Sequence, residues 1–335
     1  MNEPFIVAEM SANHLGSIDR ALDIVKAAAD AGADAIKLQT WTPDTMCIDP
    51  GIVLGNGPWH GRSMMELYRE AHTPWSWHAP IFAYAKSLGL IPFSAAFDVA
   101  SVDFLESLGV TMHKVASFEL VDLPLIRHMA SKGKPMILST GMASAQEIQD
   151  AGECAVIAGC NDLTVLNCSS AYPADPADAD LRNLGWKLDG YVAGKLITLS
   201  YGLSDHTMGC GVACAAAALG ATMIEKHLTL SRADGGPDAG FSMEPHEFKQ
   251  MVEEVRRAAA AVQPRPPGPK KGEDRSLRRS FWVTRDVLPG EPLVLGDNVA
   301  TARPALGLPP SADVHGKVAN RYIPANTPLT ADMLA

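Results

Sequence analysis

The sequence predicts a parallel (β/α)8 barrel followed by a small β-rich domain, and three observations carry that reading. Apolar, β-rich runs alternate with Ala-rich helical runs through about the first 260 residues, a length that suits eight such units. A Pro- and Gly-rich break then follows Val262. Finally, polar residues close the apolar runs at one end, where a barrel of this class builds its site. A doubly wound sheet is the alternative architecture, but eight units in that length fit a barrel better.

The strands expected in order are Phe5–Met10, Ala35–Gln39, Leu90–Ser94, Met112–Ala116, Met136–Thr140, Leu163–Cys168, Leu196–Leu203 and Thr222–His227. Between them lie helical patterns such as SIDRALDIVKAAADAGA, FDVASVDFLESLGV and MASAQEIQDAGECAVIAG. Ser17 and Ser144 stand at N-cap positions, and Gly32, Gly89, Gly109 and Gly159 at C-cap positions. The barrel is therefore expected over residues 1–262. QPRPPGP opens a linker, 263–275, whose prolines cannot continue a helix. Residues 276–335 are rich in Pro, Gly and Val and read as the β-rich domain. It holds an internal repeat: Arg285, Val287, Pro292 and Leu293 recur as Arg321, Ile323, Pro328 and Leu329.

Bulk properties exclude several function classes. A net charge of -10 argues against nucleic acid as a partner, because phosphate contacts need a basic face. No apolar run is long enough to span a membrane. MNEPFIVAEM lacks the basic and apolar regions of a signal peptide, so the expected location is the cytoplasm. The six cysteines form no CxxC pair and read as reduced, structural thiols.

The strand ends concentrate unusual chemistry. Glu9 closes the first strand, followed by the loop SANHLG. Lys37 and Gln39 close the second, two apart and hence on one face. Ser94 closes the third, Lys114 and Ser117 the fourth, Ser139 and Thr140 the fifth. Ser169, Ser170 and Tyr172 follow the sixth, and Ser204, Asp205 and His206 the seventh. Glu225 and His227 close the eighth, while Lys226 between them faces the other way. Each residue alone has an ordinary structural reading as an ion-pair partner, a cap or a packed histidine. Two lysines, two glutamates and two histidines on one rim do not.

Lysines with hydroxyls suit a phosphate or carboxylate. His206 and His227 come from adjacent strand ends and can share one metal ion, with positions left open for substrate. Glu9 and Glu225 can serve as acid, base or sugar-binding groups. GxGxxG and GxxxxGK[ST] are both absent, which argues against dinucleotide or ATP use.

AEMSANHLGS, AIKLQT, HKVASFE, ILSTGMA, SAYPA, GLSDHTMG and IEKHLTLSRADGGPDAGFSMEP closely resemble the sialic acid synthase family. TARPALGL and RYIPANTPLTADML resemble its C-terminal antifreeze-like (SAF) domain, so the resemblance spans nearly the whole chain. TPDTM, HTPWSWH, ASFELVDLPLI and TLSRADGGPD are most like its pseudaminic acid branch.

The resemblance implies a condensation of phosphoenolpyruvate with an acylamino sugar, giving a nonulosonic acid and phosphate. It implies a divalent metal, Mn2+ or Mg2+ and possibly Co2+, on His206 and His227. It places Lys37, Gln39, Ser94, Lys114, Ser117, Ser139 and Ser204 around phosphoenolpyruvate, with Glu9, Lys37, Lys114 and Glu225 catalytic. Ser170, Tyr172, Asp238 and Arg303 fall at sugar-contacting positions. It also implies a homodimer in which the SAF domain carries Arg303 to the partner's barrel. Two positions depart from the pattern. Ser170 stands where an asparagine is common, and Ala305 replaces a glycine in the RPGxG loop, a strain on the loop if that position needs a positive φ. The competing readings are a synthase of the same family with a different acceptor, for N-acetylneuraminate or legionaminic acid, then a metal-dependent hydrolase or aldolase, and a non-catalytic sugar-binding protein.

Overall fold

The computed structural model describes residues 3–183 and 191–335. The chain divides into two compact units, Met1–Gln263 and Pro264–Ala335.

In the first unit, eight strands close into a barrel: β1 (Phe5–Glu9), β2 (Ala35–Thr40), β3 (Ile91–Ala96), β4 (His113–Val115), β5 (Met136–Ser139), β6 (Asp162–Cys168), β7 (Thr198–Asp205) and β8 (Met223–His227). The order around the barrel is β1-β8-β7-β6-β5-β4-β3-β2, and every pairing is parallel. Strands covered on both faces read as near-continuous apolar runs, as these do. The helices are α1 (Ile18–Asp30), α2 (Pro43–Met46), α3 (Met64–Ala71), α4 (Trp75–Ser87), α5 (Val99–Ser107), α6 (Leu123–Ala130), α7 (Ala145–Ile157), α8 (Gly211–Ala218) and α9 (Pro245–Ala261). Ser17 caps α1 by accepting from the Arg20 N–H, and Ser144 forms a reciprocal capping box with Glu147 at α7.

Side-chain alternation sorts the strand residues into two cores. Ile6, Ile36, Leu38, Leu138, Val165, Leu203 and Ile224 point outward. They pack with Ile24, Ile81, Leu105, Ile126, Ile148 and Val255 of the helices. Val7, Ala35, Phe93, Ile137, Leu166 and Met223 point inward and form a separate apolar floor across the barrel. Burying each larger member of either core contributes about 1.5–3 kcal/mol. Gly202 completes the floor: a Cβ there would lie 2.3 Å from the Met223 carbonyl oxygen, so no larger residue fits.

Two connections depart from regular alternation. The link from β2 to β3 is long and carries α2 and α3 before α4. Between β6 and β7 the described residues form 3-10 turns and a two-residue hairpin, Tyr191–Val192 with Lys195–Leu196, with no α-helix. That hairpin takes Leu196, so β7 starts later than the apolar run suggests and continues to Asp205, carrying Ser204 within the strand.

The second unit pairs β9 (Ser280–Val283) antiparallel with β10 (Val299–Ala302). The repeat of 36 residues is a local two-fold. Val287 and Ile323 exchange both backbone hydrogen bonds, 2.9 Å each. The Leu293 N–H donates to Lys317 O and the Leu329 N–H to Phe281 O, the same bond taken twice. Gly290 and Asn326 occupy equivalent turns with φ of 83° and 61°, and glycine and asparagine tolerate that left-handed region best. Ala305 is not among the residues with positive φ, so alanine carries no strain there.

Candidate active site

One layer above the apolar floor, the inward positions turn polar. A cavity of about 530 Å3 opens there, lined by Lys37, Gln39, Lys114, Ser117, Ser139, Tyr172, Ser204, His206, Glu225, His227 and Asp238 among others. β1, β2 and β8 are in register at this level, with Glu9 beside both Lys37 and His227. Lys37 Nζ lies 2.5 Å from Glu9 Oε2 and 3.5 Å from Glu225 Oε1. Burial works against the Lys37 ammonium, but the pull of Glu225 and Glu9 holds its pKa above the ordinary lysine value.

The two glutamates are pushed apart. Burial raises Glu9 above the usual carboxylate range. Burial also opposes ionisation of Glu225, yet Lys114 and Lys37 together hold it below that range. Such a divergent pair divides acid from base duty. Ser204 Oγ donates to Glu225 at 3.1 Å, and Gln39 Nε2 donates to Glu9 at 3.0 Å. Across the cavity, Lys114 Nζ donates to Ser139 Oγ at 2.6 Å. Burial lowers the Lys114 pKa from the ordinary lysine value.

The histidines are held by their surroundings. His206 Nδ1 lies 2.8 Å from the Ser169 carbonyl oxygen, which sets a proton on Nδ1. The two rings are 5.3 Å apart, with Phe241 against His227 and Tyr172 against His206. Burial and the proximity of His206 hold His227 neutral, and its Nδ1 is buried without a hydrogen-bond partner. Burial opposes the charge on His206, but its contacts with Cys168 and the Ser169 carbonyl hold its pKa above the ordinary histidine value, so a cation would have to displace that proton. The two imidazoles, one with an orphaned nitrogen, otherwise suit a divalent cation. No group of three His, Cys, Asp or Glu suited to a metal occurs among the described residues. Water and substrate would therefore have to fill the rest of its shell.

Lys226 faces outward. It is buried against Asp205 at 2.6 Å and also donates to the Thr207 and Gly209 carbonyls, tying down the loop that presents His206.

Three expected positions lie elsewhere. Ser94 does not line the cavity: Phe93 and Ala95 are the inward residues of β3, so Ser94 points to the helix layer. There it meets Thr40 Oγ1 at 2.6 Å, and Thr40 in turn meets His78. Ser170 sits beside Ser117 in a smaller recess with Cys168 and Ser169. Gly141 keeps that corner open, since a Cβ would fall 2.5 Å from Ser170 Oγ. Arg303 belongs to the second unit and is exposed.

The lining residues not anticipated include an aromatic cluster, Trp41, Tyr68 and Phe97, and two polar residues. Ser11, in the left-handed region at φ 47°, donates to Asp238 Oδ2 at 2.5 Å and accepts from Gln39 Nε2 at 2.8 Å. Glu119 stands on the 3-10 turn after β4 (Ser117–Glu119), and burial pushes its carboxyl up to about 7. The quoted SANHLG and ASFEL segments contain both, but neither sits on a strand.

A parallel barrel with lysines, hydroxyls and paired histidines around one cavity is the site of an enzyme acting on a small anionic substrate. The NeuB family model matches residues 24–265, and the SAF domain model matches 278–335. The chain belongs to the NeuB family. It is 40% identical over 99% of its length to a pseudaminic acid synthase of Helicobacter pylori, covering 98% of that protein. A pseudaminic acid synthase of Campylobacter jejuni is 38% identical over 95% of this chain and 93% of its own. An N,N'-diacetyllegionaminic acid synthase of Legionella pneumophila is 34% identical over 92% and 87%. Among solved structures, N-acetylneuraminic acid synthetase from Leptospira borgpetersenii aligns with a TM-score of 0.70 at 29% identity, over 81% of this chain and 88% of that one.

Proposed function

We propose that the protein joins phosphoenolpyruvate to 2,4-diacetamido-2,4,6-trideoxy-altrose, with water, to give pseudaminic acid and phosphate. The observation that carries the reading is the pairing, in one cavity, of the Lys37 and Lys114 ammoniums with the two histidines. The identity to pseudaminic acid synthases over nearly the full chain supports the choice of acceptor.

The lysines and the Ser117, Ser139 and Ser204 hydroxyls hold the phosphate and carboxylate and set the enol carbon against the acceptor aldehyde. His206 and His227 would hold the divalent ion, Mn2+ or Mg2+, which when bound polarises an aldehyde oxygen as a Lewis acid. The new bond joins C3 of phosphoenolpyruvate to the aldehyde carbon. Water adds at C2, and the phosphate leaves with its bridging oxygen. Glu9, with its raised pKa, handles the proton of that water, and Glu225 stays ionised between the lysines. Tyr172 and Asp238 meet the sugar, and Ser170 stands behind them.

The reading extends to a cytoplasmic homodimer in which Arg303 reaches the partner copy's sugar, on the strength of the family resemblance alone. No helix among the described residues is long and apolar enough to cross a membrane.

Phosphate release from phosphoenolpyruvate decides the matter. It is measured against the altro-configured acceptor and the acceptors of legionaminate and N-acetylneuraminate synthases. The highest kcat/KM falls to the first; a preference for either of the others reassigns the acceptor, and no release with any of them overturns the synthase reading.

A further inference from the structure

Residues 72–78, HTPWSWH, lead into α4 outside the cavity, yet their side chains grip the elements that line it. Trp75 Nε1 donates to the Trp41 carbonyl oxygen at 3.2 Å, and the Trp75 ring stacks on Phe104 at 4.4 Å. His78 Nε2 meets Thr40 Oγ1 at 2.8 Å at the end of β2, and Thr40 meets Ser94 of β3. Thr73 Oγ1 meets His14 Nε2 at 3.1 Å, and Trp77 packs edge-on to the His14 ring at 5.6 Å. Thr73 is therefore a fixed point, tied through its own segment to the ends of β2 and β3.

His14 is fully buried, and the chemistry above leaves it unused. One tautomer satisfies its ring: the Gly16 N–H donates to Nδ1 at 3.1 Å, so the proton sits on Nε2 and faces Thr73. Burial pushes its pKa down to about 4, against a hydrogen bond to the Ala71 backbone, so the ring is neutral. His14 ends a short 3-10 turn, Ser11–His14, that is strained at both ends, with Ser11 at φ 47° and Leu15 at φ 50°. Neither is glycine, so the surrounding structure has to hold them in the left-handed region. On one side the hold is Asn13, whose Nδ2 donates to the Leu228 carbonyl at 3.1 Å and to Ser242 Oγ at 2.9 Å. On the other side it is His14 on Thr73. At the head of the turn, Ser11 Oγ sits in the cavity between Asp238 and Gln39.

We infer that His14 is a positioning residue, which through Thr73 keeps the turn in its strained form and so places Ser11 Oγ between Asp238 and Gln39. It touches no reactant and acts from behind the site. The kinetic part of the test rests on the synthase reading above; the hold on the turn does not.

Thr73→Val keeps the volume and removes the hydroxyl, Thr73→Ser keeps the hydroxyl, and His14→Leu removes both ring hydrogen bonds. Thr73→Val is expected to lower kcat/KM for the preferred acceptor about 3- to 10-fold, and His14→Leu at least about 10-fold. Thr73→Ser should stay within about two-fold of wild type. In a Ser11→Ala background the same changes should cost less than about two-fold, because the hydroxyl they position is already gone. Amide exchange over residues 10–17, followed by mass spectrometry, should quicken in Thr73→Val and not in Thr73→Ser. Full multiplicative losses in the Ser11→Ala background, or unchanged exchange in Thr73→Val, overturn the role. Should His14→Leu fail to fold, the two Thr73 variants carry the comparison. If wild type turns over no acceptor, the synthase reading fails, and exchange alone decides: quickened exchange upholds the hold of His14 on the turn, and unchanged exchange overturns it.

Discussion

Ser11 Oγ lies 2.5 Å from Asp238 Oδ2, joining the loop after the first strand to a loop 227 residues later, across the mouth of the barrel. The same hydroxyl accepts from Gln39, whose amide also donates to Glu9. One serine therefore links the carboxyl assigned to the sugar with the carboxyl assigned to proton transfer. Its left-handed backbone marks a conformation that surrounding structure must impose. Burial raises the Asp238 pKa, and the Ser11 hydrogen bond opposes that rise. A hydrogen bond to a charged group contributes about 1.5–3 kcal/mol, so Ser11→Ala should cost roughly 10- to 100-fold in kcat/KM for the acceptor. Ser11→Gly relieves the backbone and removes the same hydroxyl. Similar losses in both variants assign the effect to the hydroxyl; recovery in the glycine variant assigns it to the backbone.

His206→Ala and His227→Ala should each remove stimulation of turnover by Mn2+ or Mg2+, with activity down by at least about 100-fold. Titrating the cation into apo protein and following phosphate release gives the comparison. Wild-type activity in either variant excludes the pair as ligands.

Lys114 is needed as an ammonium, and burial lowers its pKa. Its charge is lost as pH rises through a value below the ordinary 10.5, so affinity for phosphoenolpyruvate should weaken on the alkaline side earlier than a free lysine would dictate. A profile of KM for phosphoenolpyruvate between pH 7 and 10.5 reads this. Lys114→Arg, which holds its charge throughout that range, should flatten the alkaline limb even where the maximal rate falls.

The Lys226–Asp205 pair is buried on both sides. Removing one partner strands the other, at about 3–5 kcal/mol, so Lys226→Met should lower Tm markedly and weaken cation-stimulated turnover through the His206 loop. The double variant Lys226→Met with Asp205→Leu should recover most of the stability. Calorimetry of the three proteins provides the cycle.

A chain ending at Gln263 should keep the thermal transition of the barrel and lose most of its activity if Arg303 serves the sugar. Full activity in that truncate would refute a role for the C-terminal domain.

The architecture was readable because each strand is buried on both faces and each helix opens at a cap or closes at a glycine. The same continuity hid the parity of β3: in IPFSAA every position is apolar or small, so nothing in the run tells that Phe93 rather than Ser94 faces inward. β2 and β8 were readable because Lys37 and Gln39, and Glu225 and His227, fall two apart. Ser11 and Glu119 escaped because loops carry no periodicity. The cluster of Trp41, Tyr68 and Phe97 escaped too, since it joins the residues just past β2 and β3 to the long link between them, whose fold no local pattern announces.

The apolar floor has a consequence for traffic. Val7, Ala35, Phe93, Ile137, Leu166 and Met223 plug the barrel beneath the lysines, so the cavity is blind-ended. Whatever enters must leave by the same door, in a queue set by depth. A reactant seated at the lysine level has to arrive before the one that stacks above it, and the larger product, lying across the exit, has to depart before anything beneath it is free.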